Sequence, residues 1–329
     1  MKNTKSKFLS LNNSYDLYLS MTWMTDNDHG ICGHIYEIID YYLLLHTKFN
    51  VGILICEDLN WNIIENCILT KYNIEESIIL KMKHNTIFNY KPKYVVGKNT
   101  NILFVDGGLY RAFYKNGNIL EFKNIFSFRC SPLDTHYNLS YKNLILLQDN
   151  RVYSDDDRKI SIDYKKKINF KYYKNISSNV TKTAMLYLTT NCRRLCNISI
   201  LDIIFTYKFD RYIIVTNTPE IYTNIIKDFS NIEILTAPVE NIFEKFDAYI
   251  YTPTGKDGSA VSISFDCSPR FIAECEYYCK EVIYHGIDDK YLESDTGLKW
   301  RSYDIKNDFQ SLYLDDSDEL IDILYDRLS

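Results

Sequence analysis

Two carboxylates and an arginine stand close together late in the chain, in FDCSPRFIAECEYYCKEVIYH, where seven residues separate Asp266 from Glu274 and Arg270 lies between them. The pattern puts Asp266 in a loop ahead of a helix and Glu274 about one turn inside it. Carboxylates so placed can accept hydrogen bonds from ligand hydroxyl groups. Asp266 would also serve as a helix cap, with Pro269 suited to the first helical position. Glu274 is flanked by Ile272, Ala273 and Cys275, which favours a partly buried role over a surface one. Two more guanidinium groups, Arg193 and Arg194, follow an apolar run. Their forks suit a diphosphate, and they suit surface carboxylates equally well. Near the start, the loop TDNDHGICG places Gly30 and Gly33 just ahead of a helical pattern. Glycines there let backbone N–H groups approach a phosphate, or simply make a turn. His29 in that loop is a candidate acid, base or hydrogen-bond donor. Asp106 with Gly107 and Gly108 reads as a tight turn.

These residues matter only if regular elements bring them together. The first half gives an apolar run from Tyr15 to Trp23, the polar loop Thr25 to Gly33, a helix from His34 to Phe49 and a strand from Val51 to Asp58. Strand, glycine loop, helix and strand in that order imply parallel pairing with a crossover. Further strands are expected at Asn101–Val105, Ile125–Arg129 and Leu144–Leu147. Helices and an extended segment near Tyr90–Val96 fill the region between Asp58 and Lys98. The polar stretch Arg151–Lys182 separates two regular regions, so the boundary is placed at residue 178, with domains 1–178 and 179–329. In the second half, strands at Ala184–Thr190, Tyr212–Asn217, Ile232–Pro238, Ala248–Pro253 and Val282–His285 alternate with helices at Ser199–Tyr207, Glu220–Phe229, Glu240–Phe246 and Arg270–Cys279. The strands are near-continuous apolar runs, as in a sheet covered on both faces. That is a doubly wound, Rossmann-like α/β pattern, whose ligands bind outside the carboxyl ends of the strands. A last helix is expected over Asp316–Leu328, with an acidic first turn.

Composition narrows the function classes. The 329 residues are 46% hydrophobic and 25% charged, with a formal net charge of −5. That suits a globular protein and argues against one that coats nucleic acid through a basic field. The run KKKINFKYYK (Lys165–Lys174) alternates basic and aromatic residues. It fits a lysine-protected edge strand better than a base-stacking surface. Nine cysteines occur without a Cys-x-x-Cys pair, and Cys192/Cys196 and Cys275/Cys279 lack partners for zinc, so reduced, mostly buried thiols and no metal site are expected. No apolar run reaches the roughly 18 residues of a membrane span, and the opening residues lack a signal-peptide core. The expected compartment is the cytoplasm, or a host's cytoplasm for a viral protein.

The segment from Asp266 to Ile283 resembles the carboxylate-x7-Glu motif of retaining glycosyltransferases of the two-lobed GT-B fold. In that motif the second acid is followed by a helix and a Lys-Pro-Val-Ile-type strand; here Lys280-Glu281-Val282-Ile283 follows Glu274. Asp replaces the usual Glu at the first position, bulky Glu276, Tyr277 and Tyr278 replace small residues, and the Pro is absent. The resemblance implies two Rossmann-like lobes facing across a cleft, and a nucleotide-sugar co-substrate, UDP-sugar favoured, with no other cofactor. It implies that Asp266 contacts the donor sugar, Glu274 the ribose, Arg193 or Arg194 the diphosphate, and the Gly30/Gly33 loop the donor phosphates. Arg270 and His29 complete the candidate site. The acceptor would be a hydroxyl on a glycan, a small molecule or a modified DNA base, the last as in viral enzymes of this fold. Two other readings stay open: an inactive nucleotide-binding or scaffold module, and a sugar-nucleotide epimerase.

Overall fold

A computed structural model describes residues 9–11, 14–21, 25–26, 30–31, 34–55, 60–88, 95–96, 99–105, 122–129, 143–149, 159–162, 168–177, 180–188, 200–216, 218–237, 239–251, 270–285 and 318–328. The chain divides into two units, Met1–Tyr173 with Tyr313–Ser329, and Lys174–Leu312.

The first unit contains β1 (Leu9–Ser10), β2 (Leu17–Met21), β3 (Thr25–Asp26), β4 (Gly30–Ile31), α1 (His34–Leu45), β5 (Val51–Ile55), α2 (Trp61–Lys71), α3 (Glu76–His84), β6 (Thr86–Phe88), β7 (Val95–Val96), β8 (Asn101–Phe104), β9 (Asn124–Arg129), β10 (Leu144–Asp149) and β11 (Lys159–Ile162). Seven strands form one sheet in the order β11-β10-β9-β8-β2-β5-β6, and every pairing is parallel. Counted along the chain from β2, its strands stand 3-2-1-4-5-6-7 across the sheet, so the winding reverses between β2 and β8. Both faces are apolar. Tyr18, Leu54, Ile102 and Ile125 build one core layer, while Leu17, Leu19, Val51 and Ile53 alternate to the other face and are equally buried. This is why these strands read as continuous apolar runs. Gly52 is required by the packing: a Cβ there would lie 2.8 Å from two ring carbons of Tyr18.

The helix α1 is buried on most of its circumference, including the polar Glu37 and Asp40, as expected of a helix covered on both sides. Asp40 ties it to the segment just before the unit boundary. Its Oδ1 accepts from the Asn169 N–H at 3.1 Å and from the Tyr72 hydroxyl at 3.2 Å, and its carbonyl accepts from Asn169 Nδ2 at 2.6 Å. That segment is a 3-10 turn, Phe170–Tyr172, with Ile168 and Tyr173 buried and Tyr173 edge-on to Tyr72. The basic-aromatic run therefore does not form the expected edge strand over its described part: its rings are spent on packing. One edge of this sheet is β11, which the polar sequence of Arg151–Lys182 concealed.

The second unit contains β12 (Thr183–Tyr187), α4 (Ile200–Thr206), β13 (Arg211–Thr216), α5 (Pro219–Ile226), β14 (Ile232–Thr236), β15 (Ala248–Tyr251), α6 (Arg270–Tyr277) and β16 (Glu281–Tyr284). Its sheet has the order β14-β13-β12-β15-β16, again parallel throughout, which is 3-2-1-4-5 with a switch point between β12 and β15. Side chains alternate across it. Ala184, Leu186, Ile214 and Ile250 meet Ile200, Ile203 and Ile226 of α4 and α5 on one face. Tyr187 and Tyr249 point to the other face, where they meet Phe271 of α6. The stretch Glu240–Phe246 is not the expected helix. It is a single 3-10 turn, Ile242–Glu244, entered through Asn241 in a left-handed conformation at φ 50° and held by the ring of Phe243 against Phe271.

The last helix, α7 (Asp318–Leu328), belongs to the first unit, whereas the sequence placed all of 179–329 in the second. The reason is local chemistry. Leu320 and Leu324 are buried, and Tyr325 packs on Phe49 with ring centroids 4.8 Å apart. The terminal carbonyls, which a helix leaves without internal partners, accept from Asn124 Nδ2 at Arg327 and from Lys123 Nζ at Leu328.

Candidate functional site

In a sheet of this winding, ligands bind beyond the carboxyl ends of the strands flanking the switch point. In the second unit those strands are β12 and β15, which are neighbours. The chain leaves β15 at Tyr251 and is next described at Arg270, the first residue of α6. This helix runs back toward the start of β16, so Arg270 lies at the carboxyl edge of the sheet.

Phe271 fixes the helix. Its ring stacks on Phe243 at 4.9 Å and meets Tyr249 edge-on at 4.9 Å. With Ile272 and Cys275 also buried, residues 271 and 275 face the sheet, and residues 270 and 274 share the adjacent stripe one turn apart. There Arg270 Nε donates to Glu274 Oε1 at 2.8 Å, with the two side chains only 8% and 2% exposed. A buried charged pair costs desolvation that its mutual attraction only partly offsets. It is therefore weak as a device for stability alone.

The pair's field reaches its neighbours. Burial, then the adjacent Glu274 charge, pushes the Cys275 thiol well above its usual range. Burial, then Glu274, also raises the Tyr278 phenol, whose hydroxyl donates to the Lys174 carbonyl at 2.9 Å. Burial lowers Lys280, against the opposing pull of Asp247; its Nζ donates to the Phe246 carbonyl at 2.8 Å. Lys280 thus secures the turn into β15 at the amino edge, away from where a ligand would sit. Among the described residues no group of three or more His, Cys, Asp or Glu could hold a metal ion. Nor is any helix among them long and apolar enough to cross a membrane.

Of the residues singled out by sequence, Arg270 and Glu274 are brought together. Gly30 lies in β4, paired with Asp26 of β3 in a short antiparallel ladder that fills part of the expected loop between β2 and α1 at the carboxyl edge of the first sheet. His29, Gly33, Arg193, Arg194 and Asp266 lie outside the described residues. Two features escaped the sequence reading. One is the Asp40–Asn169–Tyr72 network, whose only sequence signal is an aspartate inside the apolar pattern IIDYYLLL. The other is His285, just past β16 at the same carboxyl edge. Its Nδ1 lies 3.1 Å from the Tyr207 hydroxyl, and burial lowers its pKa against the pull of Asp202.

Two parallel sheets, each with strands wound 3-2-1-4-5 about a switch point, define a protein of two doubly wound α/β units. That assignment rests on the strand order itself. No protein-family model matches the chain, and no curated protein matches it. Among solved structures, MurG of Acinetobacter baumannii is similar at a TM-score of 0.33 and 11% identity, over 94% of this chain and 99% of that chain.

Proposed function

We propose that this chain is a glycosyltransferase of the GT-B type that moves a sugar from a nucleoside-diphosphate donor, UDP-sugar first, to an acceptor hydroxyl with retention of configuration. The observation that carries this reading is the buried Arg270–Glu274 pair at the start of the helix that follows the fourth strand of a 3-2-1-4-5 sheet, with Asp266 eight positions ahead of Glu274. Arg193 and Arg194 follow β12, and Asp266 follows the neighbouring β15. Guanidinium groups and a carboxylate therefore enter the chain on both sides of the switch point. In the proposed site Arg193 and Arg194 neutralise the departing diphosphate, and Asp266 meets the sugar. Glu274, oriented by Arg270, takes the ribose hydroxyls. His29 stands ready for proton transfer, and Gly30 and Gly33 permit close approach of the first unit's backbone to phosphate.

The chemistry needs little covalent help. Charge builds on the leaving diphosphate as the glycosidic bond breaks, and fixed cations stabilise it; removing one such donor typically costs about 3 kcal/mol of barrier. A panel of UDP-, GDP-, ADP- and CMP-sugars in a thermal-shift assay tests the reading, because a ligand at 100 times its Kd stabilises the folded state by about 2.7 kcal/mol. One donor is expected to raise Tm, to release its nucleotide slowly, and to lose affinity in Glu274→Gln. No shift with any donor refutes donor binding. A shift with no nucleotide release on any acceptor supports a binding module, and a new sugar epimer on the recovered nucleotide supports an epimerase.

A further inference from the structure

We infer that His285, held in one orientation by Tyr207, is a further binding residue of the proposed donor site and gives a hydrogen bond from its second ring nitrogen to the donor's diphosphate. This rests on the glycosyltransferase reading above. The fold places His285 between the two segments that the reading uses. Its backbone N–H donates to the Tyr251 carbonyl at 2.8 Å, so it extends the β16–β15 ladder by one residue, beside the point where β15 ends and the chain goes on toward Asp266. Its ring is fastened to α4, the helix entered from the segment that carries Arg193 and Arg194. There Nδ1 lies 3.1 Å from the Tyr207 hydroxyl, and the two rings stand edge to face with centroids 5.6 Å apart. Tyr207 follows α4, yet its N–H still bonds to the Ile203 carbonyl at 2.9 Å. A side chain on that turn leans toward the helix N-terminus, which is the carboxyl edge of the sheet. His285 is thus tied by its main chain to one side of the switch point and by its side chain to the other.

The partners decide which nitrogen carries the proton. Burial raises the Tyr207 phenol, so its hydroxyl stays protonated and donates. Burial lowers His285 against the pull of Asp202, so the ring is neutral at neutral pH. With Nδ1 accepting, the proton sits on Nε2, which makes no hydrogen bond among the described residues. Among those residues, the titratable groups facing the ring are Asp202 and Tyr207, both from the α4 side, and β15 offers it only the Tyr251 carbonyl. The apolar cluster that Tyr207 joins would be covered as well by two apolar rings; what this pair adds is an oriented N–H donor at the carboxyl edge. A diphosphate at Nε2 favours the charged ring, so the pKa of His285 should rise on binding. The Tyr207 hydroxyl can accept as well as donate, so it keeps its bond to the charged ring. Between the lowered value without ligand and the raised value with it, the complex holds a proton that the unliganded protein lacks. Affinity should therefore grow as pH falls through that window.

Isothermal titration calorimetry of the full chain with the UDP-, GDP- and ADP-sugars of the thermal-shift panel tests this, since their diphosphates are diesters with no proton that titrates near neutrality. The donor that binds should gain several-fold in affinity from about pH 8 to about pH 6, within the roughly tenfold per pH unit that a single proton allows. At about pH 6.5, buffers of different ionisation enthalpy should reveal a fraction of a proton taken up for each donor bound. His285→Ala should weaken binding roughly tenfold or more. His285→Gln keeps an amide donor but cannot titrate; it should bind better than His285→Ala and lose both the uptake and the gain on acidification. Tyr207→Phe keeps the ring packing and should weaken binding several-fold with Tm little changed. Donor binding without proton uptake, uptake that survives in His285→Gln, or full affinity in Tyr207→Phe overturns this inference and leaves the transferase reading standing. Binding by none of the sugar nucleotides overturns both.

Discussion

Removing the Glu274 carboxylate should be the most damaging single change available in α6. Arg270 is 8% exposed and its Nε–H is bonded to Glu274 at 2.8 Å, so Glu274→Ala takes a carboxylate from a guanidinium where water can barely reach it. Breaking a buried pair in this way costs about 3–5 kcal/mol. For a unit the size of Lys174–Leu312, 1 kcal/mol is worth roughly 2–8 °C, so a fall of on the order of 10 °C or more is expected for that unit's transition. Glu274→Gln keeps the volume and an acceptor oxygen but not the charge, and should cost less, about 1–2 kcal/mol. The Arg270→Met/Glu274→Leu double change should recover most of the loss, because an apolar pair of similar volume carries no desolvation penalty. Urea denaturation monitored by circular dichroism of the parent, Arg270→Met, Glu274→Leu and the double change supplies the four corners of the cycle. The reasoning is refuted if Glu274→Ala loses less than about 1 kcal/mol, or if the double change is as damaging as the sum of the two single ones.

Two further outcomes follow from the first unit. Burial, then the nearby Tyr15, pushes the Tyr42 phenol up from 10.0 to about 12, so between those pH values the folded state keeps a proton that the unfolded state has lost. Stability should therefore be intact below pH 10 and fall by about 2–3 kcal/mol as pH rises toward 12. Alkaline urea titrations should show this decline shrinking in Tyr42→Phe, which at neutral pH should equal or slightly exceed the parent, because the Tyr42 hydroxyl is buried with no hydrogen-bond partner among the described residues. In β5, Gly52→Ala forces a methyl group against the fully buried Tyr18 ring. It should cost about 1–3 kcal/mol in the same denaturation assay; a neutral result would mean the ring has room to yield.

The parallel architecture was legible because its signal is physical and local. Apolar runs as short and β-branched as Val51–Ile55 and Tyr212–Val215 read as strands covered on both faces, and the helical spacing in α1 and α4 fixes the alternation between them. The errors have equally definite causes. β11 (Lys159–Ile162) is an edge strand, so its sequence is polar enough to pass for a linker. Glu240–Phe246 has helical composition, yet Phe243 is drawn to Phe271 and the backbone turns at Asn241, a contact between residues distant in sequence. The same limit hid the partners of Asp40, which lie at Tyr72 and Asn169. At the candidate site, the spacing of Arg270 and Glu274 correctly put both on one helix. That the two side chains would bond to each other at that i,i+4 spacing was readable, and the depth of their burial was not, since it depends on what the rest of the unit lays over the helix.

The return of α7 to the first unit has a consequence for how the molecule is made. The second unit is an insertion within the first, and every one of its residues is synthesised before α7. Until that helix arrives, the Phe49 ring, the Lys123 ammonium and the Asn124 side-chain amide lack the partners that it brings. The second unit can thus finish folding while the first, begun earlier, still waits for its closing helix. Order of synthesis and order of completion run in opposite directions along this polypeptide.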